Sequence, residues 1–303
     1  MKTKLLVYLA ASAAALAGCS GDDGPTTVDI APQARVRFFN ASPDAPASME
    51  AVFVDQVENA YTFRRVPFRG HSGEYQAVND GARQLRVFRP LNASGVDTAQ
   101  ILVLDTTFTL TADRRYTIVQ TGSALAARGS AGAAQVVVFE DTLPDAVAAG
   151  SIAVRVYHLL PTAATASVAI APRTRAGGVG AAATTVTVPF RGRSGYVTVP
   201  ALAVADTSAF YNFTATVAGA SVASNFPTTM SFVPGGVTLS AAGIGAVAAT
   251  ATTAPTLPTA GVRQGASVLS AFLVPGVAGA ASTSAAGQNT TVLVPDRAPP
   301  AAP

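Results

Sequence analysis

Along much of the chain, apolar residues alternate with polar ones over short stretches, with the period of two that β-strands require. Val36 and Phe38 flank Arg37, and residues 101–110 and 116–119 are rich in β-branched and aromatic side chains. Pro, Gly, Asn and Asp separate these stretches, and no segment after residue 19 keeps a helical period. The pattern therefore predicts an all-β protein, built as a sandwich or a barrel.

One segment of eight residues occurs twice. VPFRGHSG at residues 66–73 returns as VPFRGRSG at residues 188–195, with seven of the eight positions identical. Upstream, Val36-Arg37 matches Val154-Arg155, and downstream Asp141 matches Asp296. The offset is 118 residues at the first match, 122 at the shared segment and 155 at the last. The sequence therefore contains an internal duplication. Because the offset grows from 122 to 155, the second copy holds about 33 additional residues after the shared segment.

The duplication sets the predicted domain boundaries. We predict two tandem antiparallel β-sandwich domains, immunoglobulin-like or transthyretin-like, at residues 34–148 and 149–300, because each copy is long enough for its own core. The additional residues are expected near the Ala-, Thr- and Pro-rich stretch 246–265, and residues 301–303 are expected to form a disordered tail.

The first nineteen residues have the layout of a secretory signal. Lys2 and Lys4 precede an apolar stretch at residues 5–16, which is too short to span a bilayer as a helix. The sequence LAGC at residues 16–19 resembles the lipobox of bacterial lipoproteins. The resemblance implies a signal peptide at residues 1–18, which is removed, and an acylated, for example palmitoylated, Cys19. The alternative is an ordinary signal peptide whose cleavage site happens to contain Cys.

Residues 19–33 would then form a flexible tether to the membrane, since they are rich in Gly, Asp, Thr and Pro. Ser20 stands where an Asp would retain a lipoprotein of an enteric-type bacterium in the inner membrane. The expected location is therefore the outer membrane of a bacterial envelope, on its periplasmic or surface face.

Charge and composition exclude several partners and cofactors. Beyond Cys19 there is no Lys, and 18 Arg are balanced by 17 acidic residues, so no basic field for nucleic acid exists. One Cys permits no internal disulfide, and His71 and His158 are too few for a zinc site. We expect neither a metal nor another cofactor.

The opening strand of the first copy carries a family resemblance. RVRFFNASPDAP at residues 35–46 resembles the bacterial family known as domain of unknown function 4397, whose members typically read V-R-V-x-H-A-S-P-D-A-P. The Ser-Gly-Tyr turn after the shared segment is similar as well. The resemblance implies a secreted, often tandem and lipid-anchored protein with no established activity. The first copy has Asn40 where the family commonly has His, and the second has His158 followed by LLPT.

The polar residues offer few candidates for catalysis. His71 and Ser72 are adjacent, but neighbouring residues of a strand point to opposite faces, so His71 is badly placed to activate Ser72. The second copy has Arg193 in place of His71. We interpret this segment as a turn that exposes polar residues, and predict no catalytic residue there.

The acidic residues suggest little more. Two groups of carboxylates could in principle bind calcium: Glu140, Asp141 and Asp145, and Asp44 with Asp55. Neither group has the spacing of a calcium loop. We therefore interpret these residues as solvated charges of turns.

Arginine is the one charged residue that recurs at matched positions. Arg37 matches Arg155, and Arg69 matches Arg191. A guanidinium group can bind carboxylates, phosphates or sugar acids. The simpler interpretation is that these side chains point outward from the strands and cover Phe and Tyr rings. Arg69 and Arg191 are the candidates for contact with a ligand.

The sequence thus predicts a non-enzymatic lipoprotein of the cell envelope, attached to the membrane through Cys19. Its two modules would bind an envelope protein or a glycan, or act as a spacer. The alternative is an envelope hydrolase that acts on polysaccharide, which would need two carboxyl groups held across a cleft.

Overall fold

A computed structural model describes residues 31–44, 48–55, 63–91, 100–161, 164–173, 178–203, 210–225, 227, 229–233, 237–248, 250, 252, 254–281, 284 and 287–300. The signal peptide, Cys19, most of the tether and the 301–303 tail lie outside these residues. Every regular element within them is a β-strand, which confirms the all-β prediction. The same residues contain no helix that could cross a membrane.

Twenty strands follow one another in the part of the chain that the structure describes. They are β1 (Gln33–Asn40), β2 (Ser48–Phe53), β3 (Phe63–Pro67), β4 (Gly70–His71), β5 (Gln76–Asn79), β6 (Gly81–Pro90), β7 (Gln100–Leu110), β8 (Arg115–Thr121), β9 (Gln135–Glu140), β10 (Ser151–His158), β11 (Thr165–Pro172), β12 (Thr184–Pro189), β13 (Gly192–Arg193), β14 (Val197–Pro200), β15 (Tyr211–Val217), β16 (Ala220–Asn225), β17 (Thr229–Val233), β18 (Val237–Ser240), β19 (Val268–Val274) and β20 (Thr290–Arg297).

Each repeat is a sandwich of two sheets, as the alternating pattern predicts. In the first repeat, the sheet β3-β2-β6-β7 packs on β1 and β8 around Phe38, Phe63, Leu85 and Ile118. In the second repeat, the sheet β12-β11-β15-β16 packs on β10 and β19 around a separate core that contains Val156, Val168, Phe213 and Leu269.

The sheets are not purely antiparallel. β1 pairs in parallel with β8, with Val36 opposite Tyr116, and β10 pairs in parallel with β19, with Val154 opposite Leu269. β8 and β19 reach these positions only after the chain has crossed the opposite sheet of their own sandwich, and a parallel pair requires such a long connection.

The two repeats share one continuous sheet and a third core. β17 pairs with β20 on one side and with β4 on the other, which joins a twelve-stranded sheet. Nine of its strands follow the order β13-β10-β19-β20-β17-β4-β1-β8-β9, and β14, β18 and β5 pair beside this path with β10, β17 and β1. Phe39 and Val119 of the first repeat pack with Tyr157 and Phe272 of the second. The central strands are therefore buried on both faces, and residues Gln33–Pro303 form one compact unit.

The additional residues of the second repeat lie between β16 and β19. The first repeat has only residues 111–114 between the corresponding strands β7 and β8. The insertion contains the predicted stretch 246–265, but it begins earlier, because β17 and β18 belong to it as well.

Candidate functional site

Four charged side chains are buried where the repeats meet. Arg37 lies on β1, Arg155 on β10, Asp296 on β20, and Asp141 directly after β9. The arginine side chains are 1% exposed and the aspartate side chains 0%. We call these four residues the junction cluster. The prediction that Arg37 and Arg155 point to a solvated surface is wrong. The other repeat covers the face of the strand from which each arginine side chain projects.

The ion pairs of the junction cluster cross from one repeat to the other. Arg37 Nη2 lies 2.5 Å from Asp296 Oδ1, and Arg155 Nη2 lies 2.7 Å from Asp141 Oδ1. Arg155 is also 3.6 Å from Asp296. Each arginine thus neutralises a carboxylate that the other copy supplies.

Each repeat positions its own charges with a hydroxyl group on the strand beside them. Arg37 Nε donates to Thr117 Oγ1 at 2.8 Å, and Thr117 in turn donates to Asp141. In the second repeat, Arg155 Nε donates to Ser270 Oγ at 2.9 Å, and Ser270 donates to Asp296 at 2.7 Å. The two halves of the cluster are therefore related by an approximate two-fold axis, as in a symmetric dimer.

Tyrosines from the Ser-Gly-Tyr and corresponding turns complete the shell. The Tyr75 hydroxyl donates to Asp141 at 2.8 Å, and the Tyr196 hydroxyl donates to Asp296 at 2.7 Å. The guanidinium carbon of Arg37 lies 4.8 Å from the centre of the Tyr75 ring, and that of Arg155 lies 4.8 Å from the Tyr196 ring. Covering of aromatic rings is thus the correct part of the arginine prediction.

Electrostatics keep Asp296 and its arginine partners ionised. Burial alone would raise the pKa of Asp296, but the charges of Arg37 and Arg155 outweigh it and hold that pKa below its ordinary value. Burial likewise opposes the charged form of Arg37, and the opposite charge of Asp296 raises its pKa. Burial raises the pKa of Tyr75 and Tyr196, so both hydroxyls remain donors.

Two matched positions break the symmetry. The Tyr157 hydroxyl donates to Asp141 at 3.1 Å, whereas the residue at its place in the first repeat is Phe39. Arg193 donates from Nη1 to Asp141 at 3.0 Å, whereas the residue at its place in the first repeat is His71. The His71 side chain is buried and its Nε2 atom has no hydrogen-bond partner. Burial, followed by the charge of Arg37, lowers the pKa of His71 to about 4. The turn that contains His71 therefore does not expose it, contrary to the sequence interpretation.

The serine of the shared segment makes the same hydrogen bond to the backbone in both repeats, which explains why the segment recurs. Ser72 Oγ accepts a hydrogen bond from the Phe38 N–H at 3.0 Å, and Ser194 Oγ accepts one from the Val156 N–H at 2.9 Å. His71 Nδ1 accepts from the N–H of Gly73 at 3.0 Å. These serines bind the opening strand of each repeat.

Arg69 and Arg191, the candidate ligand contacts, reach across to the opposite repeat. Both adopt a left-handed backbone, with φ of 62° and 57°. Arg69 donates to the carbonyl oxygens of Pro275 at 2.9 Å and Gln288 at 2.7 Å, and Arg191 donates to Gln135 Oε1 at 2.7 Å. Each adds a second crossed contact at the rim of the junction, and direct contact with a ligand stays a prediction.

The opening motif also has a structural role. Asn40 Oδ1 accepts the N–H of Ser42 at 3.0 Å, and His158 Nδ1 accepts the N–H of Leu160 at 3.3 Å. The Asn and the His thus stabilise the same turn in the two copies. Asp44 accepts the N–H of Ala124 at 2.8 Å and so holds the loop after β8.

The carboxylates are not all solvated turn charges, as the sequence suggested. Asp141 is buried in the junction cluster, whereas Glu140 is exposed and lies 3.3 Å from Arg114, and Asp55 pairs with Arg83 at 2.6 Å. Within the described residues, no group of three or more His, Cys, Asp or Glu side chains is placed to bind a metal.

A shallow polar cavity lies near the rim of the junction. It has a volume of about 340 Å³ and is lined by residues 221–224 of β16 and by residues 287–289. Arg69 of the first repeat binds the Gln288 carbonyl in this wall. The lining offers hydroxyl and amide groups and no charge.

Sequence reasoning missed the junction cluster as a site. The signal that could have found it was present, because Arg37, Arg155, Asp141 and Asp296 occur at matched positions of the two copies. The hydroxyls of Thr117 and Ser270 gave no such signal, since they differ between the copies.

These features define an all-β protein with two sandwich repeats joined by a buried ionic junction. Residues 34–169 match the model of a family described as "Domain of unknown function (DUF4397)", which confirms the resemblance of the opening motif. The match covers the first repeat and the start of the second, so it does not by itself establish a tandem arrangement of that family.

Other comparisons are weaker. One solved structure with some likeness is the fimbrial anchor protein Mfa2 from Porphyromonas gingivalis. It is 10% identical, the alignment covers 87% of this chain and 97% of that chain, and the TM-score is 0.20. A score of this size supports no conclusion about fold or function. No curated protein shows significant sequence similarity to this chain.

Proposed function

We propose that this protein is a non-enzymatic lipoprotein of the bacterial cell envelope, anchored in the outer membrane by lipid on Cys19. Its two repeats act as one rigid body that presents a surface to an envelope protein or a glycan, at a fixed distance from the bilayer.

The crossed junction is the observation that carries this proposal. Four matched charges are closed to solvent and form ion pairs between the two repeats; they are Arg37, Arg155, Asp141 and Asp296. A tandem protein with independent modules would not need a desolvated ion network between them, because such a network is expensive to bury. Such a junction keeps the two repeats rigid, and a protein that presents a surface or acts as a spacer requires this rigidity.

The polar cavity beside β16 is the proposed ligand position. Its hydroxyl and amide groups suit a neutral polar ligand such as a glycan, and Arg69 holds one of its walls from the opposite repeat. Arg69 would therefore act as a positioning residue for this cavity.

The hydrolase alternative gains no support from the junction cluster. Asp141 and Asp296 are the two carboxylates that the fold brings together, and a glycosidase needs such a pair on either side of a sugar. Both side chains are closed to solvent and paired with arginine. A substrate would have no path to them.

Replacing the anchoring residue tests the proposal. Cys19→Ala should move the protein from the membrane fraction of cells to the soluble fraction, because the attachment site for lipid is lost. Ser20→Ala, next to it, should leave the protein in the membrane fraction. Retention of the Cys19→Ala protein in the membrane would refute the lipid anchor.

A further inference from the structure

The insertion of the second repeat contains an uncharged ribbon of two paired arms. We call the described residues 241–248 and 254–262 the insertion ribbon. Its two arms are paired by backbone hydrogen bonds between Val247 and Thr256, at 3.1 and 3.0 Å, and from the Thr259 N–H to the Ile244 oxygen at 2.8 Å. The first repeat has no equivalent, since four residues connect the corresponding strands.

The surface of the insertion ribbon is uncharged and carries three exposed aliphatic side chains. Ile244 is 54% exposed, Val247 46% and Leu257 75%. The sequence has no charged residue from position 207 to position 262. Exposed apolar side chains grouped on a neutral segment mark a contact surface.

The insertion ribbon lies at the end of the molecule where β1 begins, and the directions of the strands show this. Arg37 and Arg155 both contact Asp296 Oδ1, at 2.5 and 3.6 Å, so they lie at the same level of their strands. Two residues further along β1, the Phe39 ring stacks on the Phe272 ring with the ring centres 4.2 Å apart. Phe272 is paired with Tyr157, which lies two residues beyond Arg155 on β10. β1 and β10 therefore run in the same direction, and their first residues lie at the same end.

The base of the insertion ribbon is fixed at this end. The Ala266 N–H donates to the oxygen of Ser151, the first residue of β10, at 2.7 Å. The Leu202 N–H, just after β14, donates to the Val262 oxygen at 3.0 Å. The ribbon thus leaves the body beside the start of β10.

The chain that precedes β1 limits the distance of this end from the membrane. Fourteen residue steps separate Cys19 from Gln33. Their full extension is at most about 50 Å, and a flexible chain of this length has a root-mean-square extension of about 20 Å. A lipid on Cys19 would keep this end of the molecule close to the bilayer.

We infer that the insertion ribbon contacts the lipid surface to which Cys19 is anchored, with Ile244, Val247 and Leu257 in the interfacial region. This inference rests on the proposed anchor. Transfer of these side chains from water to lipid is favourable, no charge has to be desolvated, and backbone groups of the arms are paired with each other. The ribbon acts as a second, weaker contact that fixes the orientation of the body on the membrane.

The test uses the lipidated full-length protein in vesicles of phosphatidylethanolamine and phosphatidylglycerol. Lipid occupies the one native cysteine, so Leu257→Cys introduces a single thiol for an environment-sensitive fluorophore. Leu125→Cys is the matched control, because Leu125 is 55% exposed and follows β8 at the opposite end of the body. A spin-labelled phospholipid in the vesicles serves as a quencher.

The expected result is a blue-shifted spectrum at position 257 and quenching about twofold or more stronger than at position 125. Equal, water-like spectra at both positions in vesicle-bound protein would overturn the inference while leaving the anchor intact. A blue shift without quenching would also overturn it, in favour of contact with protein or a second copy. Failure of the protein to float with the vesicles would refute the anchor itself.

Discussion

Each charge in the junction cluster depends on a partner from the other repeat. Removing one arginine therefore leaves a buried carboxylate without its nearest counter-ion, and that is far more costly than losing an exposed ion pair. The chain contains both kinds of pair, so the difference can be measured within one protein.

Arg37→Ala should lower the free energy of unfolding by about 3–5 kcal/mol, because Asp296 would remain buried with only the more distant Arg155. Arg114→Ala is the matched control. It breaks the pair with Glu140, whose side chain is 48% exposed, and should cost no more than about 1 kcal/mol. Denaturant unfolding measures both. Equal losses in the two variants would show that the junction contributes no more than a surface ion pair.

His71 should make stability depend on pH in a window separate from that of Asp296. Its pKa is about 4 in the folded protein and about 6.5 in the unfolded chain, so only the unfolded chain gains the proton as pH falls from 6.5. Stability present above pH 6.5 is therefore lost toward pH 4, by up to about 3 kcal/mol. The contribution of Asp296, whose pKa is depressed, is lost only below about pH 4.

His71→Gln should remove the loss between pH 6.5 and 4 and leave the acid loss below it. Unfolding curves of both proteins at several pH values measure the difference. An unchanged pH profile in the variant would show that His71 takes up a proton in the folded protein as readily as in the unfolded chain.

At the scale of the strands, alternation predicted the sandwich cores and not the junction. Val36 and Phe38 are core residues of the first repeat, as their spacing indicates, and Arg37 between them was assigned to the surface. Alternation shows that a strand has two different faces, and says nothing about what covers the polar one. A buried ion pair and a solvated arginine give the same pattern.

Strand order was also beyond the reach of the sequence. The link β4-β17-β20 depends on an insertion whose strands carry no distinctive motif, and the parallel pairs β1-β8 and β10-β19 join distant parts of the chain. Non-local pairing follows from the packing of the complete chain, so composition and spacing cannot specify it.

The shared segment was found from the sequence and interpreted in part. Its duplication correctly singled out Arg69 and Arg191 as a matched pair. Only the structure shows that both residues have a left-handed backbone and that their side chains contact the opposite repeat. A left-handed backbone at Arg costs about 1–2 kcal/mol relative to glycine. The Arg side chain makes a contact with the opposite repeat that glycine could not make.

At the scale of the whole molecule, the duplication behaves as a dimer within one chain. Matched arginines exchange carboxylate partners across an approximate two-fold axis, whereas the matched hydroxyls and turn tyrosines bind the carboxylate of their own repeat. Phe39, Tyr157 and Phe272 stack beside them. The sequence predicted two modules side by side, and the boundary at residues 148 and 149 stays a prediction. What the sequence did not show is that the modules share a core.

Hydrogen exchange resolved to peptides of each repeat tests the shared core most directly. The intact chain at neutral pH should show one opening free energy for the central strands β1 and β8 of the first repeat and β10 and β19 of the second, because neither sandwich can open without exposing the junction cluster. Two clearly different opening free energies, one for each repeat, would contradict a single rigid body.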